Sequence, residues 1–283
     1  MSRNAVVCRS ACLVWLAGGC GAGALPREAV THNAEGARAL AEGRLDDAEA
    51  RFRLALEYEP RFSEPHANLG VVAMQRGRLV EAERHLRAAI ELREDFAQAW
   101  GNLGLVLERR GDDEEAREAF ERALSIDPGL VPPRWNLARM LVRRGRFVEA
   151  RAHLMRLVQI TDDPSAEGLL AYAEMRLDRR DAARQRAQRV LERAPDAGTA
   201  RLVRGMLSAL EGGLDEAVED LRVATRDPEV GVQARTRLAA VHLLRGEREQ
   251  AESLLDEVEA ARPGDPAVAF LRARLAAAPA TAP

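Results

Sequence analysis

The chain contains 283 residues, of which 31% are charged and only 4% are aromatic. This composition argues against a thick apolar core, and the formal net charge of −3 argues against nucleic acid as a general partner, because neutralising phosphates requires a basic face. The three cysteines are Cys8, Cys12 and Cys20, which excludes a disulfide framework or a cysteine metal site in the rest of the chain.

The N-terminal residues 1–19 have the layout of a secretory signal peptide. Arg3 and Arg9 flank the start of the segment, and an apolar run from Ala11 to Leu16 follows. That run is too short to span a bilayer as a permanent helix, and small residues come after it. We therefore expect the chain to be exported.

Cys20 ends the stretch Leu16-Ala17-Gly18-Gly19-Cys20, which resembles a bacterial lipobox. In that motif the cysteine is lipidated and becomes the mature N-terminus. The stretch departs from the usual pattern because Ala17, rather than leucine, lies three residues before the cysteine. The alternative is ordinary cleavage at the small-x-small site Ala22-Gly23-Ala24, which would release a soluble chain beginning at Leu25.

Residues 97–130 predict a helical hairpin. Apolar residues recur three to four positions apart in two segments: Trp100, Leu103 and Leu107 in the first, and Ala116, Phe120 and Ala123 in the second. Gly111, between the segments, suits a left-handed helix end, and Asp112 is a candidate cap for the second helix. Pro128 then stops that helix. A single hairpin cannot bury both apolar faces, so it needs neighbours of the same kind.

The neighbours appear as identical residues at an offset of 34: Asn68, Asn102 and Asn136; Leu69, Leu103 and Leu137; Gly77, Gly111 and Gly145; and Ala82, Ala116 and Ala150. This spacing, with Trp100, Leu103, Gly104, Ala116, Phe120, Ala123 and Pro128, resembles the tetratricopeptide repeat (TPR). The resemblance implies an all-α fold in which hairpins stack into a right-handed superhelical solenoid, with the first helix of each hairpin lining a concave groove.

The repeat divides the chain into consecutive segments. A tether at 20–28 is followed by about seven TPR-like repeats across 29–265, by a capping helix at 266–277 and by a disordered tail at 278–283. The predicted repeats are 29–62, 63–96, 97–130, 131–163, 164–197, 198–231 and 232–265. In the capping helix, the residues expected to cover the last open face are Val268, Phe270, Leu271 and Leu275.

The fifth repeat departs most from the pattern. Its register slips by one residue near Thr161, Asp178 replaces the turn glycine, and Ala187 replaces the large residue of the second helix. Since repeats couple only to their neighbours, we expect two stiffer blocks, repeats one to four and six to seven, joined through a weaker fifth repeat.

Nothing in the sequence predicts an enzyme. His32 and His66 occupy the repeat position that Trp100 fills, so packing is their expected role, and no group of residues has metal-ligand spacing. The acidic run at 112–115 opens a helix, where the macrodipole favours negative charge. The glycines recur with the repeat instead of forming a phosphate loop. We expect no catalytic residue, metal, cofactor or small-molecule substrate.

Binding is therefore expected in the groove, at the second, sixth, ninth and thirteenth places of each first helix. Asn68, Asn102 and Asn136 form a ladder of amides that suits the backbone of an extended peptide, although asparagine is equally a common consensus residue there. Trp135, Arg139, Arg143, Tyr172 and Arg176 add an aromatic and basic group suited to acidic residues. The arginine run at 176–193 is either a solvated helix face or a docking site for an acidic partner or anionic lipid heads.

An exported hairpin array with a lipidated cysteine resembles the TPR lipoproteins of the Gram-negative outer membrane, including the pilotins of type IV pili. The resemblance implies a scaffold that faces the periplasm and helps to assemble an envelope complex, such as a secretin. Two alternatives remain: a soluble periplasmic chaperone-like carrier released after Ala24, and an accessory subunit of an envelope secretion or peptidoglycan enzyme complex.

Overall fold

The computed structural model describes residues 24–277, and within that range it consists of fifteen α-helices and no strand. The helices are α1 (Arg27–Ala41), α2 (Leu45–Tyr58), α3 (Ser63–Gln75), α4 (Leu79–Leu92), α5 (Ala97–Arg110), α6 (Asp113–Ile126), α7 (Val131–Arg143), α8 (Phe147–Ile160), α9 (Pro164–Arg176), α10 (Arg180–Arg193), α11 (Gly198–Leu210), α12 (Leu214–Ala224), α13 (Gly231–Leu244), α14 (Arg248–Ala261) and α15 (Pro266–Ala277). Helix α1 begins at Arg27, inside the range 20–28 predicted for the tether, and residues 20–23 lie outside the described part of the chain.

The first fourteen helices follow one another as seven hairpins, from α1 and α2 to α13 and α14. The last helix, α15, packs against α13 and α14 and buries Val268, Leu271 and Leu275. The predicted all-α fold of helical hairpins with a capping helix is confirmed. The prediction for Phe270 is wrong, since its side chain is 61% exposed and faces away from the buried stripe of α15.

The described residues form two compact units, the first ending at Leu137 and the second beginning at Ala138. The fifth hairpin thus lies within the second unit, and its expected weakness stays a prediction. Ala171 of α9 and Ala187 of α10 are fully buried, and they belong to one core cluster with Leu202 and Leu207 of α11. The helices of this hairpin thus pack against the next hairpin within the same unit.

In four hairpins a glycine on the first helix packs against a larger residue sixteen positions later. A Cβ added to Gly104 would lie 2.7 Å from the Phe120 ring, and one added to Gly205 would lie 2.9 Å from Leu221 Cγ. A side chain at either glycine would push the two helices apart. Gly104 thus allows the close approach expected of it, with Phe120 as the residue it contacts.

The turn inside each hairpin requires a left-handed residue. Gly111 has φ 90°, as predicted, and Asp178 has φ 59°, the one positive φ at a non-glycine residue among residues 24–277. Aspartate tolerates this conformation better than most residues do. Asp112 occupies the N-cap position of α6, but its side chain makes no cap hydrogen bond. Its ψ of 61° is not the extended value that aims a cap side chain at the helix, and its carboxylate lies 3.3 Å from Arg110 Nε instead.

The fourth residue of several first helices donates a hydrogen bond to the carbonyl oxygen six residues earlier. The bonds run from Trp100 Nε1 to Glu94 (2.9 Å), from Arg134 Nη2 to Pro128 (2.6 Å) and from Arg201 Nε to Pro195 (2.7 Å). His66 bonds the carbonyl of Pro60 in the same way. A side chain with an N–H group is therefore favoured at this position, because it satisfies a carbonyl oxygen in the turn before the helix. His66 thus has a structural role.

The arginine run of the fifth hairpin is largely paired with carboxylates of the chain itself. The pairs are Arg184 with Glu211, Arg186 with Glu174, Arg189 with Glu167 and Arg193 with Asp162. Glu174 is nearly fully buried, so its charge requires the guanidinium groups around it. These pairs favour a self-neutralised helix face over a docking site for an acidic partner or for lipid heads.

Replacing Asp178 with glycine should stabilise the protein by about 0.5–1 kcal/mol, because glycine adopts the positive φ without steric cost. The reciprocal change, Gly145→Asp, places aspartate at a turn with φ 73° and should destabilise by a similar amount. Urea unfolding followed by circular dichroism measures both. A loss of stability in Asp178→Gly would contradict the assignment of backbone strain to this turn.

Stability should also fall in acid because of a histidine pair between α3 and α4. The Nδ1 atoms of His66 and His85 lie 3.4 Å apart, and burial lowers the pKa of both, that of His85 from 6.5 to about 4. Arg84 lowers the pKa of His85 further, whereas Glu81 opposes this. The unfolded chain therefore binds protons more readily than the folded one. The contribution of the pair to the free energy of unfolding is fully present above about pH 6.5 and is lost as the pH falls from 6.5 to 4.

The variant His85→Gln should flatten this dependence, because glutamine keeps a polar side chain but does not titrate. Thermal unfolding of both proteins at several pH values between 7 and 4 measures the slope. An unchanged slope in the variant would assign the acid sensitivity to other groups.

Candidate functional site

The candidate site is the face formed by the first helices of the second unit. Tyr172 Oη accepts a 2.7 Å hydrogen bond from Gln233 Nε2, although α11 lies between the helices α9 and α13 that carry them. Side chains can meet over an intervening helix only if the face curves inward. We define the inner face of the second unit as the ninth and thirteenth places of its first helices, which are Arg139, Arg143, Tyr172, Arg176, Met206, Leu210, Ala240 and Leu244.

Tyr172 lies at the centre of this face and is largely buried. Besides the bond from Gln233, its hydroxyl oxygen accepts one from Arg176 Nη1 at 3.1 Å. The Arg176 guanidinium lies 4.5 Å from the centroid of the Phe147 ring, within cation-π range, and that ring meets Tyr172 edge-on at 6.2 Å. The structure thus brings Tyr172 and Arg176 together as the sequence predicts, but contacts within the chain already hold both.

Arg139 meets a carboxylate of its own chain. Its Nη1 atom lies 4.0 Å from Oε1 of Glu229, in the turn between α12 and α13. The side chain of Asp227 accepts hydrogen bonds from the backbone N–H groups of Glu229 (2.8 Å) and Val230 (3.1 Å), so this turn has a fixed shape. Arg143, at the end of α7, is exposed. The basic end of the inner face therefore already includes one acidic side chain.

The asparagine ladder of the first unit is not continuous. Asn68 is only 3% exposed, and its Nδ2 atom donates a 3.1 Å hydrogen bond to Oδ1 of the equally buried Asn33. Asn68 therefore joins α3 to α1 and does not face a ligand. Asn102, Trp135 and Asn136 are half-buried, and all three belong to the first unit.

Three residues that contact the inner face were not predicted from the sequence: Phe147, Glu229 and Gln233. Gln233 occupies the second place of its repeat, which is one of the groove positions, so its location was predictable from the pattern. The contact between Glu229 and Arg139 could not be predicted in this way, because it joins residues ninety positions apart in the sequence.

The structure describes residues 24–277, so the predicted lipid-attachment residue, Cys20, lies outside it. Of the alternative cleavage site at 22–24, only Ala24 is described. Between residues 24 and 277, no helix combines the length and the apolar character needed to cross a membrane. The same range contains no group of three or more histidine, cysteine or acidic residues arranged to hold a metal ion.

Comparison with solved structures gives the same fold. The structure of pilF from Pseudomonas aeruginosa has a TM-score of 0.59 and 20% identity, over 75% of this chain and 97% of that one. The type IV pilus biogenesis factor PilW has a TM-score of 0.59 and 17% identity, over 74% and 98%. A tetratricopeptide repeat protein from Parabacteroides merdae has a TM-score of 0.63 and 15% identity, over 88% and 99%. At these identities the likeness shows the fold alone.

Family models identify the repeat itself, while among curated proteins none matches the sequence significantly. One tetratricopeptide repeat model matches residues 33–94, 72–131 and 169–230, and a second matches 107–171 and 208–275. Together they extend over nearly all of the hairpins. The chain therefore belongs to the tetratricopeptide repeat family.

Proposed function

We propose that the protein is a non-enzymatic scaffold, anchored in the bacterial envelope by a lipid on Cys20, that helps to assemble an envelope complex such as the secretin of a type IV pilus. The observation that carries this proposal is the likeness to pilF and PilW, because three quarters of this chain matches nearly the full length of each. Stacked repeats present an extended surface to protein partners, which suits a scaffold.

The anchor would act by confinement. Six residues separate Cys20 from the first residue of α1, Arg27, and such a segment reaches at most about 22 Å when fully extended. The hairpins would therefore remain close to the membrane. Confinement raises the effective concentration of a modest binding site near membrane-embedded partners, so weak contacts on the inner face suffice for capture.

The same hairpins fit a soluble periplasmic carrier released after Ala24. Cleavage there would leave all of α1 in place, because the helix begins at Arg27. An accessory subunit of an envelope secretion or peptidoglycan complex would use the same surface with another partner. These alternatives differ from the main proposal in the mature N-terminus and in the partner, and each difference can be measured.

The mature N-terminus should be an acylated Cys20. Expressed in a Gram-negative host, the protein should partition into the detergent phase, and Cys20→Ser should move it to the aqueous phase. The sequence contains no lysine, so the α-amino group is the one amine available to an amine-reactive dye. An N-acylated chain should remain unlabelled, whereas one label and a mass beginning at Leu25 would establish the soluble carrier.

Charge reversal of the inner face should weaken partner capture. The double variant Arg139→Glu with Arg143→Glu places like charges opposite an acidic partner and should reduce its recovery from envelope extracts about tenfold or more. The control is Arg180→Glu with Arg193→Glu on the second helix α10, where the two side chains are 52% and 44% exposed. Equal recovery by wild type and the first variant would exclude the inner face as the binding surface.

A further inference from the structure

A cavity of about 520 Å³ lies between the sixth and the seventh hairpin, where α12 meets α13 and α14. The buried part of its lining consists of Leu238 and His242 of α13, and Leu254 of α14 is half-buried beside them. The volume falls within the range of about 300–1,000 Å³ that small-molecule sites have. None of the lining residues belongs to the inner face, so this cavity is a separate feature of the second unit.

The cavity occurs where α12 ends early. This helix has 11 residues, whereas the other six second helices have 14 each. The chain then turns back within residues 225–230, and a Cβ added to Gly231 would lie 2.6 Å from the carbonyl oxygen of Thr225. Glycine is therefore needed for so close a return. The missing helical turn leaves room beside Arg222 and Thr225, which line the cavity.

The cavity carries charges of both signs. Arg222 of α12 and Arg235 of α13 bring guanidinium groups, and Glu249 and Glu257 of α14 bring carboxylates. Arg235 Nε lies 2.9 Å from Glu257 Oε2, and the two side chains are 31% and 54% exposed. An ion pair this exposed stabilises the fold little. A ligand with both charges can therefore separate the pair at low cost.

Arg235 also departs from the pattern of its repeat. It occupies the fourth place of the seventh repeat, the place from which Trp100, Arg134 and Arg201 each bond the carbonyl oxygen six residues earlier. Arg235 pairs with Glu257 of α14 instead. A place that is structural in three other hairpins is thus directed to the cavity in the seventh.

His242 adds an oriented polar group to the buried part of the lining. Its side chain is nearly fully buried, and its Nδ1 atom lies 2.5 Å from Oε2 of Glu247, in the turn before α14. An ionised carboxylate only accepts hydrogen bonds, so Nδ1 is the donor and Nε2 is the nitrogen that can meet a ligand. A polar atom at the buried side of a cavity is satisfied when a polar ligand occupies it.

From this arrangement we propose that the cavity binds a free apolar α-amino acid. Its carboxylate pairs with Arg235, its ammonium group pairs with Glu257, and its side chain covers Leu238 and Leu254. The two charged groups of an amino acid are joined through one carbon atom, which matches an arginine and a glutamate that lie in contact. The ligand is bound and not converted, so the inference adds a site to the proposed scaffold and does not rest on it.

A metal ion or a simple anion fits the cavity less well. Between residues 24 and 277, no three histidine, cysteine or acidic side chains are arranged to hold a metal ion. An anion alone would meet the guanidinium groups but would lie beside the carboxylates of Glu249 and Glu257, and like charges at close range repel each other. An amino acid satisfies both signs of charge at once.

The test titrates the full mature chain with L-leucine in an isothermal titration calorimeter. Two analogues remove one charge each: N-acetyl-L-leucine lacks the ammonium group, and L-leucinamide lacks the carboxylate. Leucine should bind about tenfold more tightly than either analogue, because each analogue leaves a charged side chain of the cavity without its partner.

The variant Glu257→Gln should weaken the binding of leucine about tenfold and leave that of N-acetyl-L-leucine unchanged, since it removes only the partner of the ammonium group. The matched control is Asp256→Asn. Asp256 is the neighbouring residue on α14 and belongs to another exposed ion pair, with Arg272, but it does not line the cavity. This control should bind leucine as the wild type does.

Filling the cavity tests its location. Ser253 is exposed on α14 and lines the cavity, so Ser253→Trp places an indole in its opening and should abolish leucine binding. Glu252→Trp adds the same side chain at an exposed neighbouring position outside the lining and should leave binding unchanged. Circular dichroism verifies that each variant is folded.

The inference is overturned if leucine does not bind, or if either analogue binds as tightly as leucine. Equal binding of leucine and N-acetyl-L-leucine would assign the cavity to anions. Leucine binding that persists in Ser253→Trp would place the ligand elsewhere on the chain. Because these variants leave Arg139 and Arg143 unchanged, a failure here is distinct from a failure of partner capture by the inner face.

Discussion

The close contact between a glycine on the first helix and a larger residue on the following second helix, which four hairpins make, is the constraint on which the rest of the structure depends. Gly104 against Phe120 and Gly205 against Leu221 bring two helices close enough to bury one apolar stripe of each. The other stripes need a neighbouring hairpin, so the chain repeats the unit and ends with α15, whose exposed side carries Phe270, two arginines and small residues. Each hairpin is therefore stabilised by the hairpins next to it, and the fold does not depend on one central core.

Arginine reinforces this packing at the places where the chain buries carboxylates. Asp220 is nearly fully buried and accepts hydrogen bonds from Arg201 and from two nitrogens of Arg204. A planar guanidinium satisfies several carboxylate lone pairs at once, which a lysine cannot do. Because Arg201 also bonds the carbonyl of Pro195, one side chain links the hairpin to the turn before it. The many charged residues are thus part of the architecture and do not by themselves indicate a charged ligand.

The pairing of polar residues within the chain also limits where a binding site can lie. Asn68 and the arginines of α10 have partners within the chain, and so do Arg139, Tyr172 and Arg176 on the inner face of the second unit. On that face Tyr172 and Arg176 form a central network, and the side chains of Leu210 and Leu244 are exposed on the later hairpins. A face whose central side chains are held within the chain allows a partner to bind while the helices keep their positions, which suits a scaffold that acts by holding other proteins together.

The sequence by itself determined the hairpins and their order, because the offset of 34, the turn glycines and the alternation of small and large residues are local signals that fix local geometry. It also located Asp178 and the groove positions of Tyr172 and Arg176. The tertiary structure alone decided which of these side chains remain available. Asn33 pairs with Asn68 across two hairpins, Ala187 packs into a core shared with α11, and Glu229 meets Arg139 from ninety residues away. Such contacts depend on how successive hairpins are rotated against each other, and a repeat period fixes the spacing of residues along the chain but not that rotation.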